Sequence, residues 1–308
     1  MVHVGEGRDL INFRYHIVSL VAIFLALGLG VLFGASFVDQ AIVDGLRKSQ
    51  GTLGDRNEKL REQNAGLQQT NDAFSDFVSR TRLPLVHGSL KDRVVVVVAY
   101  ETATKDAVDS VIDAVVQAGG AFEGLVTLTG KLDMKSPERR RQVALALSSS
   151  SDEQQVLSLV LNDEIAAALA GKKPGTFQRL ADAGLVTFTP GPGARPRPAS
   201  EVAPSGAAVV FIGGPDSVEL TKTLLEPVVR SLADAQVVTA VVQEGAADLE
   251  TLKGLRAGGV RAVTVDGIDQ PIGQVALVLG LKAAFGGRFG HYGTGEGAAS
   301  VLPELTAP

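Results

Sequence analysis

The chain has 308 residues, 45% hydrophobic and 20% charged, with a net charge of -5, so a packed core is within reach and no nucleic-acid partner is expected. It contains no Cys, which removes disulfides, thiolate metal sites and cysteine nucleophiles. With no Trp and three Tyr it is a poor fit to the aromatic girdles of a membrane β-barrel.

A short tail, residues 1–16, precedes a charge-free run of 22 residues, Ile17–Val38, closed by Asp39. That length crosses a hydrocarbon core of about 30 Å as a helix. Phe13 and Tyr15 stand at one end and Phe33 and Phe37 at the other, where interfacial rings belong. The alternative is a cleaved secretory signal ending near Gly34-Ala35-Ser36, although signal cores span only about 7–15 residues. Arg8 and Arg14 before the span and Arg47, Lys48 and Arg56 after it do not orient it by charge. A short tail ahead of a large domain fits a signal anchor with the body outside. Ala22, Ala26, Gly30 and Gly34 recur every fourth residue, a stripe that lets two membrane helices approach.

The composition then turns polar, and residues 39–83 read as a coiled coil. Leu46, Leu53, Leu60, Leu67 and Phe74 are spaced by seven and take heptad position d. Position a then falls on Val43, Gln50, Asn57, Asn64, Asn71 and Val78. Leu at d with Asn at a predicts a parallel homodimer in which Asn pairs fix register and reduce stability. The alternative is a single solvated helix, favoured by Gly51, Gly54 and Gly66 and by Arg56 facing Arg61 across the seam. Pro84 is expected to end the helix.

Residues 91–288 read as an α/β body. Arg93–Tyr100 is a β-branched run typical of a strand buried on both faces. Thr104–Ala118 has helical apolar spacing, and Ala121–Leu128 is a second strand. Pro137–Leu169 reads as helix broken near Ser148–Ser151, followed by a short helix at Thr176–Ala183 and a strand at Leu185–Phe188. Five prolines mark 189–206 as an exposed loop, either between two halves or within one sheet. Strands at Ala207–Ile212, Ala235–Gln243 and Val260–Val265 then alternate with helices at Val218–Ala233, Ala247–Ala257 and Gln270–Phe285. This alternation predicts a mostly parallel, Rossmann-like sheet. The glycine-rich tail, residues 289–308, is expected to be partly disordered.

Chemistry-bearing motifs are sparse. Gly213-Gly214-Pro215-Asp216 follows a strand but lacks G-x-G-x-x-G spacing, so it reads as a plain βα turn. Only His3, His16, His87 and His291 supply imidazoles, and no G-x-S-x-G elbow exists, so no catalytic residue is assigned and no enzyme is expected. For a metal, His291 is a lone candidate ligand, with a loop or docking role as its alternative.

The two ends, Ile11–Gly34 and Gly290–Ser300, together resemble the actinobacterial copper-transporter family. The most specific stretches are R-Y-H-x-V-S-L at Arg14–Leu20 and the tail motif carrying Gly290, His291, Tyr292, Gly293, Thr294 and Gly295. The resemblance implies a cell-envelope protein with its body outside the cytoplasmic membrane and a role in copper efflux or homeostasis, copper being the ligand implied. It also implies that some members are dimeric coiled-coil proteins in cell separation, with a cytosolic partner at the N-terminal tail and a cell-wall hydrolase as envelope partner. The family tail carries a His and a Met where this chain has Glu296 and Ala299.

Overall fold

The computed structural model describes residues 9–173, 175–192, 202–213, 221–245 and 250–304. The chain divides into two compact units after Asp72. That division falls within one helix, α1 (Asp9–Val86).

The second unit is built on a seven-stranded sheet of order β3-β2-β1-β4-β5-β6-β7. Its centre is β1 (Val94–Tyr100), flanked by β2 (Ala121–Leu128) and β4 (Ala208–Ile212), with Val97 opposite both Leu125 and Val210. Outward from β4 lie β5 (Thr239–Gln243), β6 (Val263–Asp266) and β7 (His291–Tyr292), all parallel to their neighbours. On the other side β3 (Val186–Pro190) pairs antiparallel with β2. Strand order reverses at β1, which is the doubly wound arrangement. The 189–206 loop therefore connects two strands of one sheet; residues 193–201 lie outside the described residues.

The period-2 rule sorts β1 between two cores. Val96, Val98 and Tyr100 face a layer made by α3 (Pro137–Leu147), α4 (Gln154–Leu169), α5 (Thr176–Asp182), α6 (Glu226–Asp234) and α7 (Glu250–Ala257). Val95, Val97 and Ala99 face α2 (Lys105–Gln117), α8 (Pro271–Phe285) and the last turns of α1. Because both faces are covered, the strand carries no polar alternation. Local signals set the helix limits. The Thr104 hydroxyl accepts from the Ala107 amide and caps α2, while Ser136 with Pro137 starts α3. Ser148 adopts φ +53° and ends α3, giving the break expected near Ser148–Ser151.

Several expectations need correction. Helix α1 runs past Pro84 to Val86, because a proline in the last turn forfeits only one backbone bond before the helix stops anyway. Strands expected at Ala235–Gln243 and Val260–Val265 begin at Thr239 and Val263. Within the glycine-rich tail, residues 289–304 are described, and His291–Tyr292 adds β7 to the sheet. Of the predicted glycine turn, Gly214–Asp216 lies outside the described residues, as do residues 1–8 of the N-terminal tail.

Candidate functional site

Two regions carry the features singled out in the sequence, one in each unit. In the first, Phe13–Gly34 is long and apolar enough to cross a bilayer at 22 residues, and none of it is buried within the chain. Ala22, Ala26, Gly30 and Gly34 share one face by their spacing, and a Cβ on Gly30 or Gly34 would meet nothing within 4 Å. Further along α1, Leu46, Leu53, Leu60 and Leu67 are 57–68% exposed and Phe74 is 53% exposed. Val43 is exposed too, and Gln50, Asn57, Asn64 and Asn71 stand in solvent beside them. Val78 differs: it is only 5% exposed and packs in the body core with Val86, Leu90 and Val111. The apolar stripe thus turns from solvent to core between Phe74 and Val78, in the last turns of α1.

In the second unit the tail motif closes over a buried ion pair that no spacing in the sequence announces. Leu252, Leu255 and Arg256 share the inward face of α7 at helical spacing, so Arg256 is carried into the core with its charge. Its side chain is 2% exposed, and that of Asp266, at the end of β6, is 4% exposed. Arg256 Nη2 donates to Asp266 Oδ2 at 2.8 Å and to the Tyr292 carbonyl at 2.8 Å. Its Nε donates to Thr264 Oγ1 at 2.9 Å, and Nη1 to the Glu296 carbonyl at 3.0 Å. From the other side, the amides of Thr294 and Gly295 donate to the two Asp266 oxygens at 2.8 and 3.1 Å. A buried charge pair is tolerable only when its remaining donors and acceptors are matched, and here the tail backbone matches them.

The motif glycines follow from this geometry. Gly293 has φ +125°, and a Cβ there would lie 2.2–2.3 Å from the Asp266 carboxylate. A Cβ on Gly290 would lie 2.4 Å from the Tyr292 hydroxyl oxygen. The tail then folds back on itself, with the Ala299 amide donating to the His291 carbonyl at 2.8 Å. Burial alone would push the Asp266 carboxyl up; the Thr294 amide, the Arg256 guanidinium and the Gly295 amide outweigh it and hold the group below the usual carboxylate range.

His291, the sequence's metal candidate, is half-buried, and its Nδ1 lies 3.1 Å from Thr264 Oγ1. Burial first, and then the Arg256 charge, hold its pKa below the ordinary imidazole value, so the neutral ring is favoured. The Thr264 hydroxyl accepts from Arg256 and also meets His291 Nδ1. With Nδ1 engaged by Thr264 and a buried cation nearby, the ring is held in place by the sheet edge. Among the described residues no group of three or more His, Asp or Glu is placed to hold a metal ion. Glu296 instead pairs with Lys253 at 2.9 Å.

Sequence reasoning found the tail motif but not Arg256 or Asp266, which hold it. The available signal was an arginine on the apolar face of a predicted helix, followed ten residues later by an aspartate closing a β-branched run.

An apolar helix of membrane-spanning length ahead of a doubly wound α/β body defines the class. The family described as "Copper transport outer membrane protein, MctB" matches residues 10–303, and the chain belongs to it. It is 28% identical over 325 residues to the copper transporter MctB of Mycobacterium tuberculosis (strain ATCC 25618 / H37Rv), covering 95% of this chain and 99% of that relative. Identity and coverage are the same for the copper transporter MctB of Mycobacterium leprae (strain TN).

Proposed function

We propose that this chain is a single-pass, membrane-anchored protein of the cell envelope that acts in copper efflux or homeostasis, with its body outside the cytoplasmic membrane. The observation that carries the reading is the family match over residues 10–303, joined to the span at Phe13–Gly34. Copper is the cargo here, and a resident site in the body is not needed for the role. One helix encloses no pore, so translocation requires several copies or a separate channel. The test is cellular copper after deletion of the chain, under copper stress, with the wild type and His291→Ala restored at equal protein level. Raised copper that the wild type corrects supports the reading. Unchanged copper on deletion, together with a defect in cell separation, overturns it.

A second reading has its own observation, the exposed Leu46, Leu53, Leu60, Leu67 and Phe74. In it the chain is a non-catalytic homodimeric scaffold, paired through a parallel coiled coil and through the Ala22, Ala26, Gly30 and Gly34 stripe. The tail before the span meets a cytosolic partner, and the body meets an envelope partner such as a cell-wall hydrolase. An asparagine at position a is favourable opposite another asparagine, which a second copy in register supplies three times. Leu60→Lys is expected to abolish the dimer and the cell-separation function while the body stays folded. A Leu60→Lys protein that remains dimeric removes this reading.

A further inference from the structure

A cleft of about 200 Å³ opens at the amino-terminal ends of β5 and β6, the pole of the sheet opposite the carboxyl ends where doubly wound folds commonly hold ligands. Val237, Val238, Phe285 and Phe289 form its half-buried apolar walls, and Arg261 and Gln236 stand at its exposed rim. The Arg261 guanidinium lies 4.8 Å from the centroid of the Phe289 ring, and Arg93 lies 4.4 Å from that of Phe285. Arg261 Nη1 donates to Gln236 Oε1 at 2.9 Å. Gln236 itself has φ +60°, a conformation a residue with a Cβ rarely adopts, which fixes the backbone beneath that contact.

Among the described residues neither Arg93 nor Arg261 has a carboxylate partner; this they share with several other surface arginines, and what sets them apart is the phenyl ring each stands over. A guanidinium has five N–H donors in a planar fork suited to a carboxylate, and Gln236 takes one of them. Stacking on a phenyl face holds the fork flat and leaves its edge open. At about 200 Å³ the cleft is smaller than the roughly 300–1,000 Å³ common for drug-sized ligand pockets.

We propose that this cleft binds a small organic anion with a compact apolar body, an aryl or short branched carboxylate, with its charge on Arg261 and its body against Phe285 and Phe289. This site is independent of copper and of the heptad stripe. The test is ligand-observed fluorine NMR with 4-fluorobenzoate against the full chain in neutral-lipid nanodiscs, with empty nanodiscs as the background. Saturable binding with a dissociation constant on the order of 1 mM is expected for ten non-hydrogen atoms. Arg261→Gln should weaken it at least tenfold with an unchanged melting temperature, and neutral 4-fluorobenzyl alcohol should show no saturable binding. If Arg261→Gln lowers the melting temperature, Arg261→Lys takes its place, and a several-fold loss is expected because the charge stays and the fork goes. No saturable binding by the wild type, unchanged binding in a folded Arg261 variant, or equal binding of the alcohol would each overturn the proposal.

Discussion

Leu60 and Leu180 carry the same side chain in opposite surroundings: Leu60 on α1 is 58% exposed, and Leu180 on α5 is fully buried. The contrast extends to the regions they belong to. The body hides β1 on both faces and buries even its ion pair, Arg256–Asp266, with partners for both charges. Along α1 up to Phe74, large apolar side chains stand in the open. Full burial of one such leucine is worth about 1.5–3 kcal/mol. The body has collected that stabilisation within a single chain, whereas the apolar side chains of α1 at Phe13–Gly34 and along the heptad have no such burial within the chain; on the proposed scaffold reading, a second copy would supply it along the heptad. Substitutions should therefore separate by region: those in the body change folding, and those on α1 change association.

The largest effect is expected at the ion pair. Arg256→Ala leaves Asp266 buried without its guanidinium and should destabilise the body by about 3–5 kcal/mol, read by denaturant unfolding. The tail should lose protection from hydrogen exchange first, since Tyr292 and Glu296 lose their donor. An Arg256→Ala protein as stable as the wild type would contradict a role for this ion pair in holding the tail. Gly293→Ala comes next, at about 1–3 kcal/mol, because its Cβ overlaps the Asp266 carboxylate. On α1 the sign reverses: Asn64→Ile should tighten self-association by roughly 1–2 kcal/mol while relaxing register, read by sedimentation equilibrium, with body unfolding unchanged.

The smallest effect is one of pH. His291 is held below its ordinary pKa, so its contribution is complete above about pH 6.5 and declines as pH falls through the window beneath that value. Asp266 is held below the carboxylate range, so its contribution persists to lower pH, complete above about pH 4 and lost as pH falls through its lowered value. Tail hydrogen exchange in wild type and His291→Asn should therefore differ in pH dependence below about pH 6.5 and converge above it. Identical profiles would remove His291 from the account.

Much of the body was legible because strand and helix periods are local. The run at Arg93–Tyr100 and the serine break after Leu147 each sit in a few adjacent residues. The tail was misread for the opposite reason. Its glycines look like disorder in sequence, and only the carboxylate of Asp266 pressed against Gly293 shows why a side chain is excluded. Nor could spacing reveal that β3 runs antiparallel, since strand direction is settled by long-range pairing with β2. The handover from Phe74 to Val78 was hidden as well. A perfect heptad continues through both, and the body's packing decides which of them faces solvent.

The contrast between the two regions turns on the proposed pairing of α1 with a second copy. Light-scattering mass of the full chain in detergent, wild type against Leu60→Lys, tests it most directly, with circular dichroism on both to report the body. The account predicts a dimeric wild type and a monomeric Leu60→Lys of unchanged body signal. A monomeric wild type, or a Leu60→Lys protein that stays dimeric, would contradict it.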